Sequence, residues 1–197
     1  MADVEKAPAE EKKPRPGAVD ASGHPWVQAI RAALPDTVVS AKEFAGQVTV
    51  LVQKDAIARV ARHLKDGQDF KYCVDVTAVD WKDRNPRFEV VYHFYSFSKN
   101  ARIRVKCAAA DGEDVPSIAA VFLSANWCER ETWDMFGIKF SGHPDLRRIL
   151  TWEGFNGFPL RKDFPLEGID TGAAVYPEEW PEGGGPSQKD SNRKVVS

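Results

Sequence analysis

The chain has 197 residues, 43% of them hydrophobic and 28% charged, with a formal net charge of −2. That is the composition of one soluble globular domain with tails, and its acidic balance argues against a nucleic-acid binder that works by neutralising phosphates. No apolar run approaches the roughly 20 residues that span a bilayer, and no apolar signal core opens the chain, so the expected compartment is cytoplasmic with membrane association only through partners.

Residues 1–23 are rich in Ala, Glu, Lys and Pro and are expected to be a disordered tail. His24-Pro25-Trp26 opens the globular domain, expected over 24–140, with a short helix through Leu34. Thr37 to Ala41 and Val48 to Gln53 are predicted strands joined around Gly46. Asp55 is a predicted helix N-cap. Ile57, Val60, Ala61 and Leu64 follow at helical spacing, and Gly67 ends the helix. Arg59, Arg62 and Lys65 form its solvated side. Phe70 to Trp81 is a predicted strand with Val74, Val76 and Ala78 on one face. Lys82 to Pro86 is a loop. Arg87 to Ser98, apolar on both faces, is a strand in the middle of the sheet. Ser98-Lys99-Asn100 turns the chain into Ala101–Cys107, where Ile103 and Val105 alternate with Arg102, Arg104 and Lys106. After a loop at Asp111 to Asp114, Pro116 is the predicted first residue of a helix carrying Ile118, Val121 and Phe122. The fold class is α+β: a mixed, mainly antiparallel sheet with packed helices, followed by a long extended C-terminal arm.

The stretch from Asn126 to Glu167 concentrates charge, aromatics and turn residues. Asn126 is the expected N-cap of a helix, with Glu129 as capping-box partner and Gly137 as the left-handed stop. Arg130 and Asp134, and Glu131 and Asp134, are helical neighbours and form an expected charge cluster. After Gly137 no regular element is predicted. Irregular segments beyond about 12–15 residues are uncommon and usually functional or disordered. Trp152, Phe155, Phe158 and Phe164 require burial, either against a partner or against the chain's own domain. Residues 141–180 are expected to be a partner-docking arm, and 181–197 a flexible end after Tyr176 and Trp180.

Nothing here writes a cofactor or metal site. Cys73, Cys107 and Cys128 are widely spaced, without a Cys-x-x-Cys, and are expected to be buried thiols. Asp134 beside Arg130 suits a structural ion pair better than a general acid. Glu129 and Glu131 point to different faces. His143 has no second histidine at ligand spacing. His93 is expected to be a hydrogen-bonded core histidine, and Asp75 and Asp80 edge or turn carboxylates. The chain has no G-x-G-x-x-G fingerprint and no nucleophile elbow. No catalytic, cofactor-binding or metal-ligating residue is therefore assigned.

Glu129-Arg130-Glu131, then Asp134-Met135-Phe136, His143 and Arg147 at their spacings resemble the signature of the C subunit of bacterial proton-pumping NADH:quinone oxidoreductase, respiratory complex I. The mitochondrial iron-sulfur protein 3 subunit is similar. Gly142-His143-Pro144-Asp145-Leu146-Arg147-Arg148-Ile149-Leu150 and Pro159-Leu160-Arg161-Lys162-Asp163-Phe164-Pro165-Leu166 are also close to the family pattern, and a weaker resemblance extends back to about Trp26. The resemblance implies a subunit of the hydrophilic arm that carries no redox centre. It lies on the cytoplasmic face of the inner membrane and packs against the D subunit, with B and I as further partners. The parent complex passes electrons from NADH through FMN and iron–sulfur clusters to quinone and couples this to proton translocation. On that reading Glu129, Arg130, Glu131, Asp134, Phe136, His143, Arg147, Arg148, Phe155, Phe158, Arg161, Lys162, Asp163 and Phe164 are signature and interface residues. Three rivals stand beside it: the equivalent subunit of a membrane-bound hydrogenase-type complex, a free-standing soluble enzyme using Glu131, Asp134 and His143, and a generic adaptor unrelated to respiration, which the specificity of the motif disfavours.

Overall fold

Alternation of apolar and polar residues along the strands builds a sheet with one dry face. In a computed structural model that describes residues 17–166 and 168, six strands form a mixed sheet in the order β1-β2-β3-β6-β5-β4. They are β1 (Val19–Asp20), β2 (Val38–Phe44), β3 (Gln47–Val52), β4 (Tyr72–Asp80), β5 (Phe88–Ser96) and β6 (Ala101–Ala109). Within this sheet, β3 and β6 run parallel and the other neighbours antiparallel. Ala41, Val50, Val105, Tyr92 and Val76 lie opposite one another in successive strands and are all buried. They cross the sheet as one apolar row facing the helices. The fold is therefore α+β, as the patterning predicts.

α1 (Pro25–Ala33) starts at His24, whose side chain accepts the Trp26 N–H, with proline in the first turn. α2 (Ile57–Gly67) buries Ile57, Val60, Ala61 and Leu64, the predicted stripe. The larger of these side chains stabilise by about 1.5–3 kcal/mol each when fully buried. Asp55 is not its cap. A 3₁₀ turn, Lys54–Ala56, leads into the helix instead and takes up the first orphan N–H groups. α3 (Ala125–Phe136) lies against β4, where the Thr132 hydroxyl donates to the Val76 carbonyl at 3.0 Å.

Several local expectations fail for identifiable reasons. Chain order begins at β1, ahead of His24, because a two-residue edge strand needs backbone pairing with β2 and little side-chain burial. A bulge between Cys73 and Asp75 shifts the β4 register, so Cys73 turns inward and Val74 outward. Pro116 starts no helix. It lies in β7 (Val115–Pro116), paired in parallel with β8 (Phe140–Ser141). Proline fits this position because its missing N–H costs a two-strand edge nothing. Ile118, Val121 and Phe122 are buried from a series of turns. His93 lies on the outer sheet face, half-buried, opposite Asp75 and Arg104. Cys73 and Cys107 are buried and Cys128 half-buried; burial pushes the Cys73 and Cys107 thiols up to about 12.

The chain divides into a body that ends at Phe164 and a second unit beginning at Pro165. Of the second unit, residues 165, 166 and 168 are described, and the Gly168 N–H closes a turn on the Pro165 carbonyl. The expected N-terminal tail through residue 16, and the arm and tail beyond 168 with Tyr176 and Trp180, lie outside the described residues.

Candidate functional site

The signature stretch begins at α3. Its first N–H groups are already taken: Ala125 donates to the Phe122 carbonyl and Asn126 to that of Leu123. The helix grows out of the preceding turn, with Ser124 at the cap position and no side-chain cap bond. Asn126 therefore sits inside the first turn, and the expected capping box does not form. Glu129 instead turns into the protein, where it is fully buried. Its carboxyl accepts from the Ser117 hydroxyl at 2.5 Å and the Ile118 N–H at 2.7 Å. Burial outweighs these bonds and pushes Glu129 up to about 7. His143 Nε2 lies 4.0 Å from Glu129 Oε2, and neither side chain has exposed surface. His143 Nδ1 accepts the Asp145 N–H at 3.0 Å, which leaves the proton on Nε2, 3.1 Å from the Asn126 carbonyl it can bond. His143 thus ties the turn after β8 to the start of α3, and Glu129 ties α3 to the turn at Ser117 and Ile118.

Gly137 ends α3 in the left-handed region, at φ 78°, as its position predicts. Asp134, one turn before it, is fully buried. Its expected partner Arg130 is directed elsewhere, donating to the carbonyls of Arg147 at 3.1 Å and Arg148 at 3.2 Å. Glu131 is exposed. The ion pair is made with Arg148, 2.6 Å away. The other Asp134 oxygen accepts successive backbone N–H groups of Ile149 (3.0 Å), Leu150 (2.8 Å) and Thr151 (2.9 Å). The Thr151 hydroxyl completes the set. Burial alone would raise this carboxyl, but the bonds from Thr151, Ile149 and Leu150 hold it far below the ordinary carboxylate range. One carboxylate therefore folds residues 148–151 around itself.

Arg148 is held in turn. It donates to the carbonyls of Phe155 at 2.9 Å and Gly157 at 3.3 Å. Its guanidinium lies between 5.6 and 5.7 Å from the ring centres of Trp133, Phe155 and Phe158. Phe155 stands edge-on to Trp152 at 4.8 Å and near Phe164 at 5.9 Å. Arg161 donates to the Phe136 carbonyl at 2.6 Å and pairs with Asp111 at 3.0 Å. Leu160 N–H reaches the Met135 carbonyl at 3.0 Å.

A further network, absent from the expected site, fixes the last residues of this segment. Asp80 is buried at the end of β4 and takes a two-pronged bond from Arg87, at 2.8 and 2.7 Å. The Arg87 pair, joined by the Lys162 N–H at 2.8 Å, keeps Asp80 low despite burial. Arg87 also reaches Asp111 at 3.2 Å and Asp163 at 3.0 Å. No sequence pattern singles out Asp80, Arg87, Asp111, Ser117 or Thr151 for these roles. The one clue is the β4–β5 hairpin, which brings Asp80 opposite Phe88, the neighbour of Arg87.

The described arm, residues 142–164, thus bonds to its own domain at Asn126, Asp134, Met135, Phe136, Asp80 and Asp111. Its outward side shows Leu150 at 64% exposure, Trp152 at 47% and Leu160 at 52%. Arg147 is exposed and pairs with Asp145 at 2.7 Å, a contact that the surrounding water screens. Glu131, Asp134 and His143 do not gather into one reactive centre. One is exposed, and each of the others is engaged by separate partners. Among the described residues, no three His, Cys, Asp or Glu side chains are grouped to hold a metal ion, and no helix is long and apolar enough to cross a membrane.

The family described as respiratory-chain NADH dehydrogenase, 30 Kd subunit, matches residues 50–170, which include the whole site. The chain is 55% identical over 136 residues to the C subunit of NADH-quinone oxidoreductase from Rhodobacter capsulatus, covering 68% of each protein. It is 51% identical over 142 residues to the same protein of Paramagnetospirillum magneticum, covering 71% of each. Among solved structures it is similar to a chain of the membrane-bound sulfane sulfur reductase, an archaeal respiratory membrane complex, with TM-score 0.60 and 25% identity over 74% of this chain and 86% of that one. The match over β4, β5, β6, α3 and the clasped segment places the chain in the family of the 30 Kd subunit of respiratory-chain NADH dehydrogenase, the C subunit of NADH-quinone oxidoreductase.

Proposed function

We propose that this chain is a structural, non-catalytic subunit of the hydrophilic arm of a proton-translocating NADH:quinone oxidoreductase. It docks the connecting module where quinone is reduced, chiefly through the D subunit with B and I beside it. It lies peripherally, on the cytoplasmic face of the membrane. FMN and the iron–sulfur clusters belong to other subunits of the parent complex, which carries electrons from NADH to quinone.

One observation carries this reading. Of the signature charges, Glu129, Asp134, Asp163, Arg130, Arg148 and Arg161 are bonded within the chain, and their joint effect is to hold residues 142–164 in one shape with Leu150, Trp152 and Leu160 outward. A preformed apolar rim lowers the ordering cost of association. Large apolar and aromatic side chains of this kind supply the anchors of interfaces. The signature charges act from behind the docking surface, while Phe155, Phe158 and Phe164 brace the rim.

The similarity to the sulfane sulfur reductase chain keeps a second reading in view, the equivalent subunit of a hydrogenase-type membrane complex. Identity of 51–55% to the quinone oxidoreductase subunits, against 25% to that chain, favours the first.

Leu150→Glu and Leu160→Glu test the docking role in cells lacking the native chain. The expected result is unchanged melting of the purified variants, with at least a tenfold loss of assembled complex and of membrane NADH:quinone reductase activity. Full assembly and activity with both substitutions would refute it.

A further inference from the structure

The outer face of the sheet carries a charge pattern that the clasp does not use. On β6, Arg102, Arg104 and Lys106 alternate with the buried Ile103 and Val105, so all three point outward. The strand register places Lys42 of β2 and Thr49 of β3 in the row of Arg104, with His93 and Asp75 on its other side. This face also carries Asp20, opposite Lys42, and Glu89, which pairs with Lys106 at 2.9 Å. Four cations thus face three carboxylates, in a chain whose formal net charge is −2.

The arginines are also held in place. Arg104 donates to Gln47 Oε1 at 2.5 Å and reaches Thr49 Oγ1 at 3.4 Å. Arg102 lies over the Tyr95 ring at 5.8 Å. Among the described residues, the partners of these two guanidiniums are neutral groups and a ring. They remain able to receive carboxylates in two-pronged fashion. His93 registers the field: its own burial and then Arg104 lower its affinity for a proton, with Arg102 and Lys106 adding to the effect and Asp75 opposing it.

Alternate residues of a strand are about 6.6–6.8 Å apart, the same interval at which an extended peptide presents alternate side chains. The column of Arg102, Arg104 and Lys106 therefore matches a ladder of carboxylates along another extended chain. A lipid surface would suit mobile cations, whereas these arginines are held by Gln47, Thr49 and Tyr95.

We propose that the outer sheet face is a docking surface for an extended acidic segment of a neighbouring protein, with carboxylates at alternate residues seated along Arg102, Arg104 and Lys106. This surface is separate from the clasped rim, and the proposal does not rest on the docking role of that rim.

The test uses the full chain and two synthetic eight-residue peptides of equal composition, one alternating Glu and Ser, the other four Glu followed by four Ser. Binding is followed by calorimetry at low and high salt and by the His93 ring resonance. The alternating peptide is expected to bind at least threefold more tightly than the block peptide and to raise the pH at which His93 titrates. The double variant Arg102→Gln/Arg104→Gln is expected to lose at least tenfold in affinity. Arg102→Gln alone, at an exposed site, should lose part of it with the fold intact. Equal affinity for the two peptides would overturn the ladder. So would no binding, binding indifferent to both variants, or binding only to vesicles containing phosphatidylserine.

Discussion

Asp134→Asn replaces the centre of the clasp by a group of the same shape without its charge. One carboxylate oxygen faces the N–H groups of Ile149, Leu150 and Thr151, and the other faces Arg148 and the Thr151 hydroxyl. An asparagine can keep its carbonyl toward the three amides. Its NH₂ then meets Arg148, which cannot accept a hydrogen bond. The Thr151 hydroxyl can rotate to accept, and Arg148 retains the carbonyls of Phe155 and Gly157. Removing one partner of a buried ion pair costs about 3–5 kcal/mol, and the retained bonds place the loss near the lower bound, about 3 kcal/mol. With a urea slope of about 1–3 kcal/mol/M, the unfolding midpoint should fall by roughly 1–3 M. Exchange of the Ile149, Leu150 and Thr151 amides should accelerate before that of the β5 and β6 amides, since local opening precedes global unfolding. The difference also depends on pH. The folded-state affinity of Asp134 for a proton is depressed, so its contribution is complete above the unfolded value of about 3.9 and declines as pH falls through the folded one. The gap between wild type and variant should therefore narrow on acidification below about pH 4. A midpoint shift under about 0.3 M, with unchanged exchange at residues 149–151, would refute the reasoning.

Other substitutions probe the surrounding supports. Glu129 has the opposite sign: it is raised to about 7 in the folded state, so its contribution is complete below about pH 4.3 and is lost as pH rises through about 7. Urea titrations between pH 4 and 8 should show a decline on the order of 3 kcal/mol from this group, and Glu129→Gln should remove that decline. Gly137→Ala forces a left-handed residue to carry a Cβ 2.6 Å from the Phe158 ring and 2.7 Å from Arg161. The conformation alone costs about 1–2 kcal/mol, and proteolysis near Phe158 should increase. Arg87→Met leaves Asp80 buried beside a single backbone donor, and a loss of about 3 kcal/mol in urea unfolding is expected.

The sheet was legible because alternation and turn residues act locally. Ile103 and Val105 against Arg102 and Arg104 specify a half-buried strand, and Gly46 and Asn100 sit in the turns with positive φ. The bulge at Cys73 was not legible, since Val74 satisfies the apolar alternation as well as Cys73 does. The site failed at longer range. Arg130 is four residues from Asp134 and is the best local partner, but Arg148 and three successive amides displace it. No local rule identifies a loop that will fold around a carboxylate fourteen to seventeen residues earlier. The same holds for Glu129. Its spacing from Asn126 fits a capping box, while its actual partners, Ser117 and Ile118, come from turns that the sequence presents as a helix. The segment's need for burial was legible in its aromatics. That its own domain meets much of this need became visible only with Arg148 placed among Trp133, Phe155 and Phe158.

The proposed role is that of a docking subunit of a respiratory complex. Its most direct test is an affinity pull-down of the tagged full chain from detergent-solubilised native membranes, with mass spectrometry and an NADH:quinone reductase assay on the eluate. An active assembly containing flavin and iron–sulfur subunits together with the D subunit is expected. Recovery of the chain alone, without reductase activity, would contradict it.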